Sequence, residues 1–159
     1  MWGHGVTLHV CHLYPESRGE IRIKSADPKQ YPAIDPNYLD KEGDLTALID
    51  GLEITRRILA APAFDGERVE EWLPGPDATT RDDLETDIRA RAETLYHPTS
   101  TCVMGKGELA VVDPECRVYG VKNLRVVDAS VMPRLVGGNT NAPTMMIADK
   151  AAEMIRASA

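Results

Sequence analysis

The feature that most constrains this chain is the proline-rich stretch DPKQYPAIDPNYL, residues 27–39. It contains three prolines in thirteen residues. Proline lacks a backbone N–H donor and disfavours the α conformation of the residue before it, so the stretch cannot be helical throughout. We therefore expect an extended, irregular connector between the segments on either side.

Before the connector, two segments show the pattern of β-strands. Residues 6–13 (VTLHVCHL) alternate and contain β-branched side chains, and residues 20–25 (EIRIKS) alternate again. The intervening PESRGE supplies Pro, Ser and Gly for a turn. The pattern predicts an antiparallel hairpin between the two segments.

After the connector, apolar residues recur with helical spacing in two segments. The first predicted helix follows Asp44, its N-cap, and runs to about Ala60. The second covers residues 81–95 and begins with a capping box of Thr80 and Asp83. We expect it to end before the His-Pro pair that follows, because the residue before a proline leaves the α region.

The last third of the chain changes character. Short β-type runs occupy residues 110–113, 117–121 and 123–130, with turn residues between them. Pro143 suits the first turn of a final helix. The predicted order is hairpin, connector, two helices, short strands and helix, which is an α+β fold.

Composition excludes some classes of function. The net charge of −7 argues against a nucleic-acid partner or an anionic membrane surface. No apolar run approaches the roughly 20 residues of a membrane span. Three cysteines without a C-x-x-C pair favour neither a disulfide framework nor a zinc knuckle, which suggests a reduced, cytoplasmic setting.

His9 and His12, with Cys11 between them, have the residue types of a metal site. On a strand, however, positions 9 and 12 point to opposite faces, so the two rings cannot converge on one ion. We therefore expect no metal there.

His97, Asp128 and Ser130 have the residue types of a hydrolytic triad. The serine lies in DASVMP, without the flanking glycines of a nucleophile elbow. Sequence supplies no geometry for a triad, so hydrolysis stays an alternative of low weight.

The segment VGGNTNAP, residues 136–143, is more informative than either of these sets. Two glycines permit close backbone approach, and two asparagines precede the helix that Pro143 opens. A helix N-terminus offers N–H groups and a positive dipole end to an anionic or electron-rich ligand. The alternative is a plain capping loop, for which one asparagine would suffice.

Three motifs together resemble a known family. YHPTSTCVMG (96–105), AVVDPECRVYGVKNLRVVDASVMP (110–133) and GGNTNAPTMMIADKAAEMI (137–155) are similar, in order and spacing, to the C-terminus of the glucose–methanol–choline (GMC) oxidoreductases. The closest resemblance is to the choline dehydrogenase and alcohol dehydrogenase branch. Residues 13–39 resemble the hairpin and connector of that family's substrate-binding domain. The resemblance covers about residues 8–156.

The resemblance implies FAD-dependent oxidation of the CH–OH group of a small-molecule alcohol. By position, His97 matches the active-site histidine that takes the hydroxyl proton while hydride leaves for flavin N5. Asn139 matches a position where relatives carry His or Asn, as the second hydrogen-bonding group at the substrate oxygen. A stand-alone, non-catalytic binding module with the same fold is the alternative.

The resemblance also implies cofactor-binding residues. Asp128 and Ala129 match a stretch along the ribityl–phosphate part of FAD. Thr140, Asn141 and Ala142 match the segment whose backbone approaches the pyrimidine edge of the flavin, where the dipole of the helix at Pro143 would stabilise negative charge on reduced flavin.

The resemblance further implies a division of the chain and a missing partner. Residues 1–95 would belong to a substrate-binding domain, and residues 96–159 to an active-site and FAD-binding segment with the last strand and helix of an α/β domain. The G-x-G-x-x-G fingerprint is not in this sequence. We therefore expect a C-terminal portion of a longer enzyme, inactive without its N-terminal FAD-binding portion.

Overall fold

The computed structural model describes residues 4–158, which form two compact units. One unit contains the chain up to Arg18 together with Asn37–Leu95. The other contains Gly19–Pro36 and the described residues from Tyr96 onward. The functional division predicted at residue 95 stays a prediction.

Three α-helices and two short β-strands are the regular elements of the described residues. They are β1 (Glu20–Arg22), β2 (Ala33–Asp35), α1 (Glu42–Leu59), α2 (Arg81–Arg91) and α3 (Asn141–Ala157). Two single-turn 3₁₀ helices cover Pro62–Phe64 and Ala129–Val131. Both α and β elements are present, as the sequence predicts. No helix within residues 4–158 combines the length and apolar composition needed to cross a bilayer.

The core of the first unit is formed where α1 packs against α2. Each helix contributes two apolar residues four positions apart, which places them on one face. These buried residues are Leu45, Ile49, Leu84 and Ile88.

The capping box of Thr80 and Asp83 is confirmed, because the Thr80 side chain accepts from the Asp83 N–H and the Asp83 carboxylate accepts from the Thr80 N–H. α2 nevertheless ends at Arg91, four residues earlier than predicted.

Asp44 is not the N-cap of α1, so that prediction is wrong. The helix begins at Glu42 with Lys41 as its cap, and no side chain caps it. Asp44 is buried in the first turn, where its carboxylate accepts hydrogen bonds of 2.8 Å from the backbone N–H groups of both Glu16 and Ser17. It therefore fastens the N-terminal segment to α1.

The predicted strand over residues 6–13 is also wrong. This part of the chain has no regular secondary structure. It lies along α1 in the first unit, where a Cβ on Gly51 would come within 2.3 Å of Cγ1 of Val10. A glycine in the middle of α1 thus lets the N-terminal segment approach the helix closely.

The hairpin of the second unit forms with a different partner from the predicted one. β1 pairs antiparallel with β2, in the register Glu20 with Asp35, Ile21 with Ile34 and Arg22 with Ala33. β2 lies inside the proline-rich connector, between two of its prolines. Just before β1, a Cβ on Gly19 would overlap the carbonyl oxygen of Asp35 at 2.1 Å, so the close approach of the two segments requires glycine.

The short β-type runs after Tyr96 form isolated bridges rather than full strands. Val112 is fully buried and bridges both Met104 and Val118. The predicted run over residues 123–130 contributes one bridging pair, Arg125 with Arg117. The predicted final helix is present as α3, which begins at Asn141 and has Pro143 in its first turn, as predicted.

Candidate active site

His97 lies in an extended stretch between α2 and the bridges of the second unit. The residue before it, Tyr96, has a φ of 62°, in the left-handed region that few non-glycine residues adopt. Pro98 follows. Such backbone conformations persist where the surrounding structure fixes them, and here the conformation sets the position of a half-buried imidazole.

Both nitrogens of the His97 ring have a partner from the loop before α3. Nδ1 lies 2.9 Å from Oγ1 of Thr140, and Nε2 lies 3.1 Å from Nδ2 of Asn139. An amide nitrogen is a donor only, so Nε2 accepts from Asn139 and the ring hydrogen resides on Nδ1, which donates to Thr140. The arrangement leaves the basic lone pair of the ring at Nε2, facing Asn139.

The loop before α3 presents backbone donors as well as these side chains. Thr140 is the N-cap residue, but its side chain makes no capping bond. The first helical hydrogen bond runs from the Thr144 N–H to the Thr140 carbonyl, at 3.0 Å. The N–H groups of Asn141 and Ala142 precede that bond and therefore point out of the helix end without an intrahelical acceptor. A Cβ added to Gly138 would meet no atom of the described residues within 4 Å, so the loop has free space at this position.

Asp128 and Ala129 lie at the start of the 3₁₀ helix Ala129–Val131. Oδ1 of Asp128 caps this turn by accepting from the Ser130 N–H at 2.7 Å. The segment after His97 runs beside the same turn, because the Cys102 N–H donates to the Ser130 carbonyl at 3.0 Å. The stretch that contains His97 and the stretch that contains Asp128 are thus joined by backbone hydrogen bonds.

The hydrolytic alternative receives no support from this geometry. The described hydrogen bonds of His97 go to Thr140 and Asn139, and the carboxylate of Asp128 bonds the backbone of Ser130. No described bond joins the imidazole to the Ser130 hydroxyl.

His12 belongs to the first unit and has a different environment from the predicted one. It is not on a strand, so the argument from opposite strand faces does not apply. Its Nδ1 is buried and lies 3.4 Å from Oδ1 of Asp44. Within residues 4–158, no three His, Cys, Asp or Glu side chains are grouped so as to hold a metal ion.

Two roles were not predicted from the sequence. Thr140 was expected to act through its backbone, but its side chain contacts His97. Asp44 was expected to cap α1, but it bonds Glu16 and Ser17. Burial disfavours the charged form of Asp44 and on its own would raise the pKa of this carboxyl. The hydrogen bonds from Glu16 and Ser17, together with nearby His12, outweigh burial and hold the pKa of Asp44 below its usual value.

Comparisons with known proteins agree on one family. The family model described as GMC oxidoreductase matches residues 15–148. An alcohol dehydrogenase (acceptor) of Pseudomonas putida is 54% identical over 153 residues, which are 96% of this chain and 28% of that protein. An oxygen-dependent choline dehydrogenase of Yersinia pseudotuberculosis is 48% identical over 153 residues, again 96% of this chain and 27% of the relative.

Solved structures show the same similarity. Pyridoxine 4-oxidase from Mesorbium loti superposes with a TM-score of 0.82 and 36% identity, over 89% of this chain and 28% of that one. An FAD-dependent oxidoreductase from Chaetomium thermophilum gives a TM-score of 0.87 and 29% identity, over 92% of this chain and 26% of that one. The chain thus spans between a quarter and a third of the length of these relatives, and it belongs to the GMC oxidoreductase family.

Proposed function

We propose that the protein containing these residues oxidises the CH–OH group of an alcohol with FAD, and that His97 and Asn139 bind the reacting oxygen. The observation that supports this most is the 3.1 Å approach of Asn139 Nδ2 to His97 Nε2. A donor and a basic lone pair face each other there, which is the pair of groups that a hydroxyl oxygen needs. The names of the relatives, an alcohol dehydrogenase and a choline dehydrogenase, support the same class of substrate.

The alcohol would replace the direct contact between the two side chains. Its O–H donates to Nε2 of His97, and its oxygen accepts from Nδ2 of Asn139. As the carbon loses hydride, His97 takes the hydroxyl proton as general base, a role that contributes roughly 10²- to 10⁴-fold to a rate. Asn139 has no basic group, so it stabilises the developing negative charge on oxygen by its hydrogen bond alone.

The residues of the loop and the first turn of α3 fit the flavin. FAD, when bound, supplies the acceptor for the hydride. The outward N–H groups of Asn141 and Ala142, beside the open position at Gly138, suit the electron-rich pyrimidine edge, and the positive end of α3 favours negative charge there. Asp128 uses Oδ1 within its own turn. Its Oδ2 would accept from a ribityl hydroxyl, and the backbone at Ala129 would lie along the same part of the cofactor.

The proposal includes the predicted division of the chain into two functional parts. Residues 1–95 would contribute to the substrate-binding domain and residues 96–159 to the active site and the flavin domain, with an N-terminal FAD-binding portion as the necessary partner. A reduced cytoplasmic setting is part of the proposal, and the three free thiols support it.

The test uses the complete protein that contains these residues, purified with its flavin. Mixing it anaerobically with a panel of primary alcohols, choline among them, should bleach the visible absorbance band of oxidised flavin. A matched panel of esters should leave the band unchanged and release no acid. Flavin that no alcohol reduces would overturn the proposal and favour the non-catalytic binding module.

A further inference from the structure

The hydroxyl of Thr140 contacts His97 instead of the helix that it precedes. A threonine at an N-cap normally accepts from the N–H of the second or third helical residue. The third residue of α3 is Pro143, which has no N–H, and Thr140 has helical dihedral angles, φ −88° and ψ −7°, rather than the extended ones of a capping residue. The Ala142 N–H remains available, but the Thr140 side chain makes no capping bond, so its hydroxyl is not held by the helix end.

The environment of Thr140 restricts what else its hydroxyl can do. Thr140 is 9% exposed. Within residues 4–158, it and Asp44 are the only buried residues with a polar or charged side chain. Its carbonyl is held by Thr144, through both the backbone N–H at 3.0 Å and the hydroxyl at 2.6 Å. With the backbone fixed in this way, Oγ1 faces Nδ1 of His97 at 2.9 Å.

We propose that Thr140 is a positioning residue, whose hydroxyl holds the ring hydrogen of His97 on Nδ1 and so keeps Nε2 unprotonated toward Asn139. In its consequence for catalysis the inference rests on the proposed function, since only a base needs that lone pair. The hydrogen-bond partners of the two imidazole nitrogens decide which nitrogen carries the hydrogen. A hydroxyl can donate or accept, so the Asn139 amide that donates to Nε2 selects the tautomer, and Thr140 supplies the acceptor for the hydrogen on Nδ1. Thr140 would thus act together with Asn139 to keep the proposed base ready to accept a proton.

Removal of the hydroxyl has a specific chemical consequence. Without Oγ1, a hydrogen on Nδ1 faces a buried position with no acceptor, which disfavours that tautomer. The hydrogen then moves to Nε2, and the Asn139 amide turns so that its oxygen accepts from it. His97 and Asn139 remain in contact, but the ring nitrogen that faces the substrate hydroxyl is now protonated and cannot accept its proton.

The first experiment reads the tautomer directly and needs neither alcohol nor turnover. The complete protein that contains these residues is labelled with ¹⁵N-histidine, and two-bond ¹H–¹⁵N spectra are recorded near pH 9, where a typical imidazole is neutral. His97→Gln identifies the resonances of His97 by their loss. The wild-type chain and Thr140→Ser should show Nδ1 as the protonated nitrogen, and Thr140→Val, which has nearly the same shape, should show Nε2.

The outcomes decide the inference without reference to activity. A wild-type His97 protonated on Nε2 would overturn it, and so would a Thr140→Val chain with the wild-type tautomer. If the valine variant does not give the wild-type amide spectrum, Thr140→Ala takes its place with the same expected shift to Nε2.

A second experiment measures the consequence in the complete flavin-loaded protein. Thr140→Val should lower kcat by roughly 10- to 100-fold, with KM for the alcohol nearly unchanged, because the alcohol still binds to the wrong tautomer. Thr140→Ser should restore most of the rate. An enzyme that oxidises no alcohol contradicts the proposed function but leaves the tautomer result standing, whereas full kcat in Thr140→Val contradicts the positioning role alone.

Discussion

Nδ2 of Asn139 lies 3.1 Å from Nε2 of His97, although 42 residues separate the two in sequence. The contact joins a loop that ends in a helix N-terminus to a stretch with left-handed backbone at Tyr96. Both partners belong to the second compact unit, so the geometry of the pair is set within it.

Replacement of Asn139 tests the role of its amide as a donor. Asn139→Ala removes the amide donor proposed at the developing alkoxide, so kcat for the alcohol should fall by roughly 10²-fold, as for other lost donors of this kind. Asn139→His keeps an N–H donor and should retain more activity than the alanine variant. Equal rates in the alanine variant and the wild type would show that the amide does not stabilise the reacting oxygen.

Asp44 should stabilise the first unit in a pH-dependent way. Its pKa in the folded chain lies below the usual value, so the unfolded chain binds more protons at acid pH. The stabilisation is therefore complete above pH of about 4, near the pKa of an unfolded Asp, and is lost as pH falls through the lower folded-state value. Urea unfolding at a series of pH values measures this dependence.

Asp44→Asn should lower the free energy of unfolding at neutral pH by about 2 to 4 kcal/mol, because two backbone N–H groups lose a charged acceptor. The same variant should lose this part of the acid dependence. The matched control is Asp50→Asn, an exposed position on the same helix, which should change the free energy by less than about 0.5 kcal/mol. Equal effects at the two positions would contradict the fastening role of Asp44.

Gly51 should be intolerant of alanine despite its position inside a helix. Helix propensity alone would favour alanine by about 1 kcal/mol. A Cβ at this position, however, would come within 2.3 Å of the Val10 side chain, and such overpacking costs about 1 to 3 kcal/mol. Gly51→Ala should therefore destabilise the chain in urea unfolding. In the Val10→Ala background the same change should be neutral or stabilising, and a Gly51→Ala effect independent of residue 10 would contradict the packing described.

Arg56 should fix the loop between Glu71 and Ala78 onto α1. Its guanidinium bonds both oxygens of the Glu71 carboxylate and the carbonyl oxygens of Gly75 and Ala78. Lysine cannot reproduce this planar set of donors, so Arg56→Lys should cost about 1 to 2 kcal/mol and speed hydrogen exchange in the loop. Arg57→Lys, at the exposed neighbouring position, serves as the control and should leave exchange unchanged.

Local signals in the sequence predicted the helices well. The capping box of α2 needs only two residues three apart, and the apolar faces of α1 and α2 follow from spacing alone. Strand pairing is not local, and it was predicted wrongly. Residues 6–13 alternate but lie along α1, whereas β1 pairs with the three residues Ala33–Asp35 that fit between two prolines of the connector.

The site could be predicted only in part for the same reason. The resemblance of the motifs assigns His97 and Asn139 by position, and the structure brings the two side chains together. Nothing in the order of residues shows that the Thr140 hydroxyl makes no capping bond and faces the imidazole instead. Asp44 likewise lies where a helix starts in the sequence. Its bonds to Ser17 and Glu16, which are separated from it by 27 and 28 positions, appear only in three dimensions.

The most direct test of the account is the rate of flavin reduction by an alcohol in His97→Ala, measured anaerobically in the complete flavin-loaded protein. The account predicts a rate roughly 10² to 10⁴ times lower than in the wild type, with flavin content unchanged. His9→Ala, an exposed histidine of the first unit, should reduce flavin at the wild-type rate. A His97→Ala protein that reduces its flavin as fast as the wild type would contradict the central claim.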